Sequence, residues 1–398
     1  MSTEALIGEL GRSQALLRAL IEDVDDSSYR RQYHPDLSPL GWHLGHCVYI
    51  ECLWLHETIR GDDSVTAPIA DLYTPPRTPK PERGPRLPRR DDLLAWAQEL
   101  HDFNLHTLRH LRPEWRRHPL LDDDYVIHFL TQHNSQHYET LLMILTQKCL
   151  DEYRSNGDQP PHDDGSEGLA PHLDAPLQAS NPSDDKVALP AGHYRVGGVR
   201  PQAYDNEVPP QQADLGPFSI GRLPVSNAEY LAFMEDGGYR QPALWSDSGW
   251  AWLQAHAVEG PEHWRHTGAT DWHGIGLRGT YALAAGEPVS GINHHEASAY
   301  ARWVGGRLPH EYQWEAACRT GLLEQTGRVW EWCANTFHPY EGFTPFPYKE
   351  YSNPWFDDRH YSLRGGSLHT RPAIKRPSFR NFFEADKRHI FAGLRLVY

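Results

Sequence analysis

The sequence predicts a two-domain protein: a four-helix bundle over residues 1–150, then an α+β domain dominated by loops over residues 189–398. Three observations carry this. At 398 residues the chain exceeds the size at which one hydrophobic core stops growing. Apolar residues at helical spacing run through the first part. From about Leu189 the character changes to short β-like runs broken by Gly and Pro and rich in aromatics.

In order, Ser2 can cap a first helix whose apolar face is Leu6, Leu10, Leu17, Leu20 and Ile21. Ser38 as N-cap with Pro39 at the first helical position opens a second, which runs to near Gly61. A third spans about 91–111, with Trp96, Leu100, Phe103 and Thr107 at helical spacing, and a fourth about 124–148. Residues 75–90 are too dense in proline for regular structure and read as a long crossing loop. Four helices joined in this way pack as a bundle. Residues 151–188, rich in Asp, Pro, Gly and Ser, read as a linker. The second domain shows few helical patterns, mainly 226–235 and 294–304, and there is no internal repeat.

Apolar content of 39% with 23% charged residues is that of a globular protein. A net charge of −15 argues against nucleic acid or an anionic membrane as partner, because phosphate recognition needs a basic footprint. No apolar run approaches the roughly 20 residues needed to span a bilayer. Residues 1–22 carry acids and lack the basic start and apolar centre of a signal peptide. The five cysteines are an odd number, widely spaced, without a C-x-x-C pair, as expected of reduced thiols in the cytoplasm.

Two biases remain, 25 histidines and 14 tryptophans. His133 and His137 stand at i and i+4 on the fourth helix, where both imidazoles can reach one ion. Such a pair also arises by chance in a histidine-rich chain. The closely spaced His43 and His46 on the second helix strengthen the metal reading, since bundle metal sites are built from facing helices. Glu139 lies about 200° around the helix from His137 and is a poor ligand, though it can orient one. Spacing leaves Zn, Fe and Cu open.

The HxxxHxE stretch of the last helix and the Leu44-Gly45-His46 element resemble the DinB-like metal-binding bundle. The second domain resembles the formylglycine-generating-enzyme fold, a C-type-lectin-like α+β domain. The stretches that carry this are Pro224-Val225-Ser226-Asn227, Gly306-Arg307-Leu308-Pro309 through Trp314-Glu315, Val329-Trp330-Glu331-Trp332, Arg364-Gly365-Gly366-Ser367 and Phe391-Ala392-Gly393-Leu394-Arg395. Together the two resemble the ergothioneine-biosynthesis sulfoxide synthases, over nearly the whole chain outside the linker.

That resemblance implies an Fe(II) cofactor held by His46, His133 and His137, with His43 a neighbour. It implies hercynine (trimethylated histidine), a chalcogen donor and O2 as small-molecule substrates. Gln136 matches a glutamine that binds the acceptor imidazole. Tyr348 matches the acid or hydrogen-atom donor, Tyr351 an acceptor contact, and Asn381, next to Arg380, leads into the acceptor and donor pocket, which the resemblance places in the cleft between the domains. A three-histidine site leaves positions open for O2 and a soft chalcogenolate, and aromatic faces suit a quaternary ammonium.

The departures bear on the donor. Where relatives that use γ-glutamylcysteine carry two arginines in the Pro-rich loop, this chain has Arg77 and Lys80, and lysine offers a point charge in place of a bidentate fork. Where those relatives carry Trp-Asp and then Arg-Arg, it has Phe382-Phe383 and then Lys387-Arg388. A carboxylate for the donor's amino group is gone and aromatic surface stands in its place. This favours the selenoneine synthase branch, with a selenosugar donor, over an ergothioneine sulfoxide synthase using γ-glutamylcysteine or cysteine. A formylglycine-generating oxidase would need a close pair of reactive cysteines, and Cys318 and Cys333 are far apart in sequence. A non-catalytic pairing of a metal-binding bundle with a lectin-like module is the remaining alternative.

Overall fold

The computed structural model describes residues 1–155, 176–266 and 272–398. Its chain divides into two compact units, Met1–Asp151 with Arg371–Ile374, and Glu152–Thr370 with Lys375–Tyr398.

The first unit is helical. Helix α1 (Thr3–Glu22) is capped by Ser2, whose side chain accepts from the Ala5 N–H, and α2 (Asp26–Arg30) by Asp25. Helix α3 (Leu40–Cys52) begins one residue later than the sequence suggests: Pro39 (φ −58°, ψ 152°) is the N-cap. Ser38 does not cap it, because its hydroxyl accepts from Arg83 Nη1 at 2.5 Å. The helix widens into a π-turn over Leu53–Thr58 and stops at Gly61, which takes φ +70°.

The Pro-rich stretch is more regular than expected. Short helices α4 (Ala70–Tyr73) and α5 (Lys80–Arg86) form within 70–86. Pro81 is tolerated in α5 because it lies in the first turn, where the missing N–H has no intrahelical partner anyway, and Pro85 stands inside the helix one residue before its end. Gly84 lets α5 close on α2, since a Cβ there would stand 2.1 Å from the Arg30 carbonyl oxygen.

Helix α6 (Arg90–Arg109) buries Leu93, Ala97, His101, Asn104, Thr107 and Leu108. Of the four residues read as periodic there, only Thr107 is buried. Phe103 is 42% exposed and stacks on His56 with Arg60 over its ring. Two polar residues, His101 and Asn104, take the inward positions instead. Helix α7 (Tyr125–Ser155) runs two turns beyond the expected end. The bundle core is Leu10, Leu17, Ile21, Leu44, Val48, Leu93, Ala97, Leu130, Leu141 and Ile144. Each large apolar side chain so buried contributes about 1.5–3 kcal/mol.

Residues 156–175 of the expected linker lie outside the described residues. In the second unit, β1 (Lys186–Leu189), β2 (Gly192–Val196), β3 (Gln211–Leu215) and β4 (Phe218–Gly221) pair as β1–β4 and β2–β3. Helix α8 (Asn227–Glu235) carries a capping box from Ser226 and Glu229. Helix α9 (Asp247–His256), capped by Ser246, is an element the sequence reading lacked. Then come β5 (Trp264–His266), β6 (Trp272–Gly276), β7 (Gly279–Ala282), α10 (His294–Trp303) and α11 (Glu311–Arg319), the last also unanticipated. Strands β8 (Trp330–Thr336), β9 (His360–Arg364), β10 (Asn381–Glu384) and β11 (Ala392–Gly393) form a sheet ordered β10-β9-β8-β11, with β11 parallel to β8.

Separate sequence stretches meet in buried ion pairs there. Glu331 accepts from Arg395 at 2.8 and 3.0 Å and from Trp314 Nε1 at 2.6 Å. Glu311 holds both Arg364 and Arg380. Short motifs spread from residue 311 to residue 395 thus meet in two buried charge-neutralising groups. Gly393 is required because a Cβ would lie 2.2 Å from the Val289 carbonyl oxygen.

No helix among the described residues is long and apolar enough to cross a membrane.

Candidate metal centre

Within the helical unit, one nitrogen each from His46, His133 and His137 lie within 4.8 Å of one another. The ring centroids are 4.5 to 5.2 Å apart. Helix α3 supplies the first and α7 the other two, one turn apart on one face, as the i, i+4 spacing requires.

The local sequence explains the details. Gly45 leaves room for the Tyr73 ring, which lies 2.2 Å from where a Cβ would be. With Tyr73 against the helix, its backbone carbonyl accepts from His46 Nδ1 at 2.7 Å. That bond fixes the tautomer and leaves Nε2 with its lone pair, the arrangement typical of a metal-bound histidine. Trp42, one turn before His46, stacks on its ring at 4.7 Å and 10°. Arg83 lies over the other side of the indole at 3.9 Å and donates to Thr78 O, Pro75 O and Ser38 Oγ.

All three imidazoles are held neutral. Burial is the main cause for each: His46 is lowered to about 4, and His133 and His137 fall well below the ordinary histidine value, neighbouring imidazoles adding to the effect. His133 Nδ1 is buried and has no hydrogen-bond partner among the described residues. Neutral, converging imidazoles, one of them with an unpartnered buried nitrogen, fit a bound transition metal. His43 is buried beside them, its Nδ1 2.9 Å from His137 Nδ1.

Gly45→Ala tests the Tyr73 contact. The methyl group displaces Tyr73, frees His46 Nδ1 and is expected to weaken metal binding by about 10- to 100-fold, the usual cost of losing a group that orients a ligand. Metal titration of the variant checks this.

Of the other anticipated residues, Gln136 is half-buried on α7 and Glu139 is buried. Arg77 is exposed, whereas Lys80, at the start of α5, is close enough for its charge to lower the His43 pKa.

In the second unit, Tyr348 and Tyr351 lie 6.3 Å apart, ring to ring, and Tyr351 stacks on Tyr204 at 4.5 Å. Asp205 holds both ends of their loop, accepting from Ser352 Oγ at 2.6 Å and from the Phe346 N–H at 3.3 Å. Burial, then the nearby Asp205, pushes the Tyr348 hydroxyl well above the ordinary tyrosine value.

On β10, successive side chains alternate between faces. Phe382 stacks on Phe337 at 4.3 Å and serves packing, while Phe383 stands opposite Tyr361 on β9, edge-on to His389. Asn381 Oδ1 accepts from the Phe382 N–H. Lys387 pairs with Glu384 and Asp386. Arg388 departs from the expected substrate contact. Its guanidinium is buried, bonded to Glu296, Glu262 and the Gly260 carbonyl, so it neutralises the protein's own carboxylates.

Sequence reasoning missed Tyr73, Trp42, Arg83 and Asp205. Trp42 alone had a signal, its i, i+4 spacing from His46.

Residues 173–326 and 320–398 match the family described as Sulfatase-modifying factor enzyme 1-like domain, and residues 9–141 match the DinB superfamily. Over its whole length the chain is 32% identical to the hercynine oxygenase of Mycolicibacterium smegmatis, of which it covers 99%. It is 30% identical to the hercynine oxygenase of Mycobacterium tuberculosis, again covering 99%. With the formylglycine-generating enzyme of Thermomonospora curvata it shares 37% identity over 34% of this chain and 49% of that one.

Proposed function

This chain belongs to the hercynine oxygenase family, a DinB superfamily domain with a Sulfatase-modifying factor enzyme 1-like domain, and on that premise we propose that it joins selenium, from a selenosugar, to C2 of the hercynine imidazole, using Fe(II) and O2. The observation that carries the reading is the cluster of three neutral imidazoles, His46 and His133 buried and His137 partly so, without a carboxylate among them.

His46, His133 and His137 hold the iron, which when bound supplies O2 activation and a site for the soft chalcogenolate. The reaction balances as selenol, hercynine C2–H and O2 giving the selenoxide and water. Both hydrogens leave with one oxygen atom, and the other stays on selenium. Gln136 orients the acceptor imidazole, and the aromatic faces of Tyr351 and Tyr204 suit its quaternary ammonium. Tyr348 is protonated at neutral pH, as an ordinary tyrosine is, and burial holds it further in that form, so a proton is present to be delivered to the strongly basic oxygen formed on reduction.

The cysteines lend no support to the formylglycine-generating alternative. Cys318 is pushed up to about 11 and Cys333 well above the ordinary thiol value, both mainly by burial, which makes them poor thiolate nucleophiles for formylglycine formation.

Anaerobic reconstitution with Fe(II), followed by O2 uptake with hercynine and a 1-seleno sugar, tests the proposal. Uptake that is independent of hercynine overturns it. Tyr348→Phe is expected to keep iron and hercynine binding while slowing product formation by about 10²- to 10⁴-fold, the usual worth of a positioned acid. Unchanged turnover and unchanged coupling to O2 return Tyr348 to a packing role.

A further inference from the structure

Beneath the histidine cluster lies a buried polar network that the proposed chemistry does not use. Glu51, on α3, is fully buried. Three amides from three other helices donate to it: Gln14 of α1 at 2.7 Å, Asn104 of α6 at 3.0 Å and Asn134 of α7 at 2.9 Å. Gln14 and Asn104 share Oε2, and Asn134 takes Oε1.

Further donors point the same way. Arg60 Nη1 lies 2.7 Å from His56 Nδ1, and His56 Nε2 lies 2.6 Å from Asn104 Oδ1. Arg18 Nη1 lies 2.5 Å from His101 Nδ1, and His101 Nε2 lies 3.9 Å from Glu51 Oε1. Since arginine only donates, each imidazole accepts on Nδ1 and carries its proton on Nε2, the nitrogen on the Glu51 side. The chain from Arg60 through His56 and Asn104 ends on the Glu51 carboxylate, whereas His101 Nε2, at 3.9 Å, faces it without a hydrogen bond. Burial raises the Glu51 pKa, and the three amides and Arg18 oppose that rise.

We infer that Glu51 is a positioning residue for the histidine cluster: through Asn134 its carboxylate sets the rotation of α7 that turns His133 and His137 toward His46. Apolar packing alone tolerates small rotations and slides of a long helix, whereas a directional bond to a buried acceptor does not. Asn134 is the residue after His133 and three before His137, so its bond is made within the turn that presents both. Glu51 stands five residues beyond His46 on α3, so the bond ties together the two helices that must agree. The inference rests on the reading of the three histidines as ligands.

Four variants decide it, with Co(II) as probe, its visible spectrum as a report of geometry, and thermal unfolding measured alongside. Asn134→Leu and Gln14→Leu each remove one amide from Glu51 with similar volume, but only the first touches α7; it also removes the 3.2 Å bond from Asn134 Nδ2 to Ser13 Oγ. Asn134→Leu is expected to weaken Co(II) binding by about tenfold or more and shift its spectrum, while Gln14→Leu stays within about twofold of wild type at a comparable loss of Tm. Glu51→Gln is expected to retain most of the affinity. Its amide oxygen accepts from Gln14 and Asn104, and its N–H meets the Asn134 Oδ1, which has no partner among the described residues, once that side chain turns over. His133→Ala provides the fourth measurement. If Asn134→Leu does not fold, as judged by helical circular dichroism, Asn134→Ala replaces it.

Equal loss of Co(II) in Gln14→Leu and Asn134→Leu makes the network a stability device and overturns the inference. So does wild-type affinity in the Asn134 variant when His133→Ala has lost the metal. Retention of Co(II) by His133→Ala overturns the ligand reading, and this inference with it.

Discussion

Alanine in place of His137 is expected to abolish tight Fe(II) binding, and with it any O2 uptake in the presence of hercynine. His133→Ala is expected to do the same. Each removes one of three converging nitrogens, and two imidazoles leave the ion largely in the hands of solvent. The loss should exceed the roughly 10- to 100-fold that follows from removing a group that only supports a ligand. His43→Ala supplies the contrast. Its Nδ1 touches His137 Nδ1, so it steadies that ring without belonging to the converging set. The expected loss there is about tenfold at most. Iron content after gel filtration, with a titration for the His43 variant, distinguishes the two. Full occupancy in the His137 variant would remove that residue from the site.

The donor is the second large effect. A zwitterionic thiol such as γ-glutamylcysteine brings an ammonium and carboxylates. Phe383 presents a ring where relatives that use that thiol carry an acid. Arg388 is already bonded to Glu262 and Glu296, so it has little to offer a carboxylate. Burying an unpaired charge costs several kcal/mol, and at about 1.4 kcal/mol per tenfold in rate that is two or more orders of magnitude in kcat/KM. A neutral sugar avoids the cost and can lay its C–H face on an aromatic ring. We therefore expect a 1-seleno sugar to exceed γ-glutamylcysteine by about 100-fold or more in kcat/KM. Phe383→Asp should narrow that gap from both sides. Efficient turnover of γ-glutamylcysteine by the unaltered protein would instead make sulfur transfer its chemistry.

What the sequence revealed depended on how far apart the interacting residues are. His133 and His137 were legible because one turn of one helix brings them together. His46 was singled out from His43 by resemblance, and the structural reason lies 27 residues away, in the Tyr73 carbonyl that Gly45 admits. The proline content of 75–90 hid α5, since composition does not show that a proline falls in a first turn. The stripe on α6 was misjudged because inward positions were assumed to be apolar, while His101 and Asn104 face inward and Asn104 bonds a buried carboxylate. Arg388 read as a ligand for substrate for the same reason. Its partners, Glu262 and Glu296, are too distant in sequence to be paired by inspection.

The attachment of the tyrosine loop limits how freely that loop can be exchanged. Its first and last residues, Phe346 and Ser352, are both tied to Asp205, some 140 residues earlier in the chain. The conformation that presents Tyr348 and Tyr351 is therefore not encoded in the seven residues 346–352 alone. A chimera that borrows this loop without the turn Asp205–Glu207 imports two phenols and no instruction for placing them. A library that randomises the loop on its native scaffold keeps that anchor as long as Ser352 survives. For this protein the unit of inheritance, and of redesign, is the loop together with its distant carboxylate.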